Sequence, residues 1–215
     1  MSILDINFES KSVFLPSLTL QFYKSTMDIE LVNKLNNFIL SKRENILKNT
    51  QLPVGKNPGT LTARLGYYNL FDFIDPEIQE LKLFIQKQYT DFMKSINQPV
   101  AKVYIHGWAN YLKFGQNITP HHHADAHFGA PMEHSYLSGN LCIYADNTNT
   151  YYKNPYIDIE IPIENNFGEL IMFPSFVTHR TDINGSKAPR ISIAFDIITE
   201  NVYNSINNTY FKQLT

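Results

Sequence analysis

The sequence predicts a mainly β protein in which helices pack on one side of an antiparallel sandwich or barrel. Three observations carry this reading. Two segments before residue 100 repeat apolar residues at helical spacing, five later segments alternate with a period of two, and the helices precede the strands. Residues 1–25 alternate loosely through Phe8, Val13, Phe14, Leu18, Leu20 and Phe22, which predicts one or two short strands. A helix is expected at about 27–47, capped by Ser25 or Thr26, with Leu31, Val32, Leu35, Phe38 and Ile39 on its buried side. Residues 51–60, rich in Pro and Gly, read as loop. Asp75 as N-cap and Pro76 as first helical residue open a second helix, with Ile78, Leu81, Phe84, Ile85, Phe92 and Ile96 as its apolar stripe. Asn97-Gln98-Pro99 closes it. Strands are then expected at Val103–Leu112, Ser138–Ala145, Ile157–Ile163, Glu169–Phe173 and Arg190–Ile197, with Asn184-Gly185 as a turn before the last. No linker or repeat divides the chain. Residues 1–215 therefore read as one domain: strands and supporting helices over 1–99, a β-rich core over 100–200 and a tail over 201–215.

Composition narrows the function. The chain has 18 Lys and Arg against 20 Asp and Glu, a net charge of −2, which argues against a dedicated nucleic-acid binder. A lone cysteine, Cys142, excludes an internal disulfide and a cysteine zinc site. Its place in the apolar run Leu141-Cys142-Ile143 suggests small core filler. No run approaches the roughly 18 apolar residues of a membrane span, and the N-terminus has no signal-peptide pattern. The expectation is a soluble cytoplasmic protein with no membrane partner.

Five of the seven histidines fall between His121 and His134, in a stretch that includes His121-His122-His123-Ala124-Asp125-Ala126-His127. Imidazole is the commonest neutral metal ligand, and a nearby carboxylate brings charge that a divalent ion needs. His123 and Asp125 are two residues apart, so on a strand both side chains share one face. The remaining histidine downstream, His179, follows the apolar strand 169–173 and makes a third ligand. Two His and one carboxylate form the facial triad of non-haem Fe(II) oxygenases. Plainer readings stand beside this one: a solvated or adventitious His run, and a hydrogen-bonded core His179. Eleven residues after His179 comes Arg190. Alternation puts Arg190, Ser192, Ala194 and Asp196 on one face of its strand and Ile191, Ile193, Phe195 and Ile197 on the other. A guanidinium fork beside a hydroxyl is a good carboxylate receptor, whereas pairing with Asp182 or Asp196 would make it structural.

Taken in order, His123-Ala124-Asp125, His179 and Arg190-Ile191-Ser192 resemble the His-x-Asp…His…Arg-x-Ser signature of the Fe(II)/2-oxoglutarate-dependent oxygenases. Trp108-Ala109-Asn110, Ser138-Gly139-Asn140 and Phe173-Pro174-Ser175 add to the likeness, which spans roughly residues 100–200 and points to small, prolyl-hydroxylase-like members of bacteria and phages. Some phage-type relatives read His-x-His in the first block, and alignment from Gly115 puts His121 and His123 there. His123 with Asp125 is preferred because the carboxylate completes the charge, and His106, His127 and His134 are left without a ligand role.

The resemblance implies a double-stranded β-helix, or jelly-roll, with the helices on one sheet and a metal at its mouth. It implies Fe(II) on His123, Asp125 and His179, and 2-oxoglutarate held by Arg190 and Ser192. Dioxygen would be the oxidant and ascorbate a supporting reductant. Asn110 and Tyr144 are weaker candidates for contacting co-substrate or substrate, and Trp108 and Tyr144 read equally well as core aromatics. The polar stretch Asp146–Tyr156 reads as a substrate lid or an ordinary surface loop. The implied activity is C–H hydroxylation of a protein or peptide side chain, proline first, or of a small molecule, with 2-oxoglutarate decarboxylated to succinate, in a bacterium or phage-infected cell. A cupin-like metal enzyme that does not use 2-oxoglutarate and a non-catalytic jelly-roll binder are the alternatives.

Overall fold

Two strands begin the chain, β1 (Ser2–Phe8) and β2 (Leu18–Thr26), paired antiparallel with Phe8 opposite Leu18. The computed structural model describes residues 1–10, 12–14, 17–49, 68–123, 136–153, 159–206 and 210–215. The first helix, α1 (Ile29–Asn49), starts after Asp28, whose side chain accepts from the Glu30 amide at 2.9 Å. The expected caps Ser25 and Thr26 are not available for that task. They pair with Leu170 and Glu169 in the sheet, so strand pairing displaces the helix start. The second helix, α2 (Pro76–Ser95), begins as expected, with Asp75 at the N-cap and Pro76 in its first turn. It stops at Ile96, one residue before Asn97 takes a left-handed backbone.

The rest of the chain is mostly strand: β3 (Val103–Leu112), β4 (Leu137–Tyr144), β5 (Asn149–Lys153), β6 (Glu160–Glu164), β7 (Glu169–Pro174), β8 (His179–Thr181) and β9 (Arg190–Thr199). A short α3 (Glu200–Ser205) and β10 (Lys212–Gln213) end it. The strands form two sheets, a seven-stranded one in the order β1-β2-β7-β4-β9-β3-β10 and a three-stranded one in the order β6-β5-β8. Among the described residues every pairing is antiparallel, and together they make the expected double-stranded β-helix. The residues expected as a C-terminal tail are partly built in. β10 lies against β3, and Leu214 is buried.

The outer face of the large sheet packs on the helices. Ile191, Ile193, Phe195 and Ile197 of β9 join Val32, Leu35 and Phe38 of α1 and Ile78, Leu81 and Ile85 of α2 in one buried cluster. The strand's period of two and the helices' period near 3.6 thus meet on one core. The inner face meets the small sheet through Phe22, Tyr152, Ile171, Phe173 and Val177. Cys142 is buried as expected, and burial pushes its thiol up to about 11, so it stays protonated.

Phe195 sits centrally in β9, facing Gly107 of β3 on one side and Gly139 of β4 on the other. Its ring covers Gly139 so closely that an added Cβ there would meet Phe195 Cζ at 2.2 Å. Gly139→Ala is therefore expected to destabilise the fold by about 1–3 kcal/mol through overpacking, as read by urea denaturation. Unchanged stability would mean that the Phe195 ring moves freely.

Candidate metal and anion site

The inner face of the large sheet carries polar residues where β3, β9 and β4 run side by side. Cross-strand pairing puts His106 opposite Asp196, Trp108 opposite Ala194 and Asn110 opposite Ser192. From β4, Ser138 lies opposite Asp196 and Cys142 opposite Ser192. These are the positions that alternation assigned to the face of Arg190.

The chain after β3 returns along β8. His121 and His179 form an antiparallel bridge, with N–H to carbonyl distances of 3.1 and 2.8 Å. The Ile118 amide donates to Thr181 Oγ1 at 2.9 Å, and the His123 amide donates to the Ser175 carbonyl at 2.9 Å. His121 is thereby set beside His179. One ring nitrogen from each of His121, His123 and His179 lies within 4.8 Å of the others, a spacing that suits one metal ion. The same period of two that paired His123 with Asp125 in the sequence also pairs it with His121. Asp125, His127 and His134 lie outside the described residues.

Each of the three rings is held through Nδ1. His121 Nδ1 lies 2.8 Å from the Thr119 carbonyl, His179 Nδ1 3.1 Å from the Val177 carbonyl, and His123 Nδ1 2.9 Å from Asp196 Oδ2. These acceptors call for a proton on Nδ1, which makes Nε2 the metal-binding nitrogen of each neutral ring. Trp108 stacks on His123 with ring centroids 5.5 Å apart. Burial, then the neighbouring His121 and His123, hold His179 well below the ordinary imidazole value, so it is neutral and a competent ligand at neutral pH. Burial alone would raise Asp196. The charge and hydrogen bond of His123 and the hydroxyl of Ser138 outweigh it, and the carboxyl lies below its usual value.

Arg190 lines the same cavity as the three imidazoles, together with Trp108, Asn110 and Thr150. It is only 2% exposed. Nη2 reaches Thr150 Oγ1 at a long 3.5 Å, while Nε and Nη1 are buried without a hydrogen-bond partner among the described residues. Neither suspected acid neutralises it. Asp196 takes His123 and Ser138, and Asp182 takes the Asn149 amide and side chain at 2.8 and 3.1 Å. Burial accordingly pushes Arg190 down from its ordinary value. An unpaired buried guanidinium is costly, and a carboxylate in the cavity would satisfy it. Three inward-facing imidazole nitrogens and an unpaired guanidinium around one cavity suit a divalent ion and an anion together.

Asn110 lines this cavity and donates to Ser192 Oγ at 3.2 Å, so Ser192 stands behind Asn110 and beside Arg190 on the same face. His106 is buried, with Nε2 3.2 Å from the Tyr68 carbonyl. Tyr144 does not line the cavity. The β4–β9 register slips between Cys142 and Tyr144, Ile143 enters the helix-side core, and Tyr144 emerges 41% exposed. The expected loop Asp146–Tyr156 also differs. Asn149–Lys153 form β5, the central strand of the small sheet, because Thr150 and Tyr152 turn inward to be buried. Asp196 is the member of the site that was not picked out for its actual role, although it shares the face of Arg190. A more open depression lies beside β8 at Arg180, Asp182 and Gly185 and holds none of the three imidazoles.

Residues 106–196 match the model of a family described as putative 2OG-Fe(II) oxygenase. Among solved structures, a Pseudomonas putida prolyl-4-hydroxylase is similar at 12% identity, with 83% of this chain and 92% of that one covered and a TM-score of 0.58. The viral collagen prolyl hydroxylase of Paramecium bursaria Chlorella virus-1, solved with 2OG, is similar at 14% identity, 83% and 95% coverage and a TM-score of 0.52. The α-ketoglutarate-dependent carbocyclase SnoK of nogalamycin biosynthesis is similar at 8% identity, 90% and 92% coverage and a TM-score of 0.58. No curated protein matches the chain by sequence. Among the described residues, no helix is long and apolar enough to cross a membrane.

Proposed function

We propose that this chain is a 2OG-Fe(II) oxygenase, a reading supported by the family match over residues 106–196, and that it hydroxylates an unactivated C–H bond with Fe(II), 2-oxoglutarate and dioxygen. The observation that carries the reading is Arg190, a buried guanidinium with two nitrogens unpartnered among the described residues, on the cavity where His121, His123 and His179 converge. In this reading the three imidazoles hold the iron and Arg190 receives the distal carboxylate of 2-oxoglutarate, with Thr150 beside it. Asn110 and Ser192 steady the wall between them. Iron with 2-oxoglutarate supplies the oxidising chemistry, in which the keto acid becomes succinate and carbon dioxide as a C–H bond gains oxygen. The protein holds three imidazoles in place, keeps a cationic seat for the diacid and shields both from water.

A protein or peptide side chain, prolyl first, is the proposed substrate. The prolyl hydroxylases among its structural relatives support that choice, while the carbocyclase keeps small molecules in view. Anaerobic addition of Fe(II) and 2-oxoglutarate is expected to give the weak visible absorption band of a chelated keto acid. Admission of air with a proline-rich peptide is then expected to release succinate and add one oxygen atom to the peptide. Absence of the band, with metal shown to be bound, would sink the 2-oxoglutarate assignment. Succinate release without peptide oxidation would move the substrate to another class.

A further inference from the structure

We infer that Asp196 is a positioning residue that supplies, from behind His123, the negative charge that three imidazole ligands do not bring. The inference rests on the ligand set proposed above. A facial triad with a carboxylate gives its ion one negative charge, and three neutral imidazoles give none. Among the described residues, the acid bonded to the cluster is Asp196. Its Oδ2 accepts from His123 Nδ1 at 2.9 Å and its Oδ1 accepts from Ser138 Oγ at 2.6 Å. It is 5% exposed, and among the described residues no Lys or Arg forms an ion pair with it. Such a carboxylate is costly to bury unless positive charge lies close by. An ion on His123 Nε2 would lie across a single imidazole ring from it.

The other two ligands are oriented differently. His121 and His179 give Nδ1 to backbone carbonyls, which fix the tautomer without adding charge. Only the His123 ring couples the ion to an anion among the described residues. That ring is also held from several sides. Trp108 stacks on one side, and the bonds run from Asp196 through Ser138 Oγ to Ser175 Oγ at 3.0 Å, while the Ser175 carbonyl takes the His123 amide. A carboxylate behind a ligating imidazole raises the basicity of the metal-binding nitrogen and fixes the ring's orientation.

The test uses the full chain stripped of metal and titrated with Co(II) against a competing chelator. Asp196→Asn keeps the size and a carbonyl oxygen for the His123 N–H but removes the charge. It is expected to weaken metal binding by about 10–100-fold, with no loss in the melting temperature of the metal-free protein. Affinity unchanged from the parent overturns the inference while leaving the ligand set intact. Asp125→Asn is the second arm, and a larger loss there than at Asp196 also overturns it, because the charge would then come from Asp125. A parent protein that binds no Co(II), or a His179→Ala variant that binds as tightly as the parent, overturns the ligand set itself. Should Asp196→Asn fail to fold, nitrogen-15 spectra of the parent loaded with Zn(II) decide. His123 is expected to carry its proton on Nδ1 and the metal on Nε2, and the reverse overturns the inference.

Discussion

Arg190→Met is expected to give a protein at least as stable as the parent that no longer takes up 2-oxoglutarate. The two halves of this result share one cause. In the free protein, Arg190 is a buried charge with two nitrogens that have no partner among the described residues. Replacing buried charged groups by apolar side chains of similar volume is often neutral or stabilising, by about 1–4 kcal/mol. Methionine fills much of the same space with a flexible apolar chain. For the ligand, the same substitution removes a charge-assisted fork to a carboxylate that is out of water when bound, a loss of about 2–5 kcal/mol. Melting curves with and without 2-oxoglutarate check both halves. The parent is expected to melt higher with the co-substrate and the variant at one temperature throughout. Arg190→Lys keeps the charge but not the planar fork and is expected to fall between them. Parent-like 2-oxoglutarate affinity in Arg190→Met would remove the basis of the proposed function.

His179→Ala is expected to abolish metal loading while leaving the β-helix folded. Backbone atoms make the bridge between residues 121 and 179, so it does not need the imidazole. The ring itself touches Phe173 and Tyr152 at centroid distances of 4.9 and 6.0 Å, so a modest packing loss accompanies the change. Loss of a direct ligand is expected to exceed the roughly 10–100-fold cost of a lost outer partner. Chelator competition measures the affinity, and circular dichroism checks the fold. A variant that retains parent-like affinity would show that the convergence of the three imidazoles serves packing alone.

Much of this arrangement was legible in the sequence wherever a simple period held. The faces of β9 came out correctly because Arg190 to Ile197 alternates without interruption and both faces are buried, one on helices and one on the cavity. The stripe of α2 was legible because its cap and proline mark the start. Legibility failed where the period broke or where polarity misled. Tyr144 moved out of reach through a register slip that alternation cannot foresee. β5 was hidden because Asn149 and Thr150 read as loop, although Thr150 and Tyr152 carry the inward face. Ser25 and Thr26 are good caps by type, but edge-to-edge pairing with β7 claimed them first. Spacing alone allowed His123 two partners at the same interval, and the pairing that sets His121 beside His179 is a contact between segments far apart in the chain. Asp196 was visible as a face-mate of Arg190, yet its bond to His123, 73 residues earlier in the chain, was not.

The backbone bridge between His121 and His179 also bears on how quickly and how selectively the site fills. The entropy of bringing those two distant segments together is met when the sheet forms, before any ion arrives. An incoming cation thus finds a preorganised claw rather than a floppy loop, and little of its binding free energy is diverted into ordering the chain. The same stiffness fixes the bite of the claw, so discrimination among competing cations falls to bond length and coordination geometry.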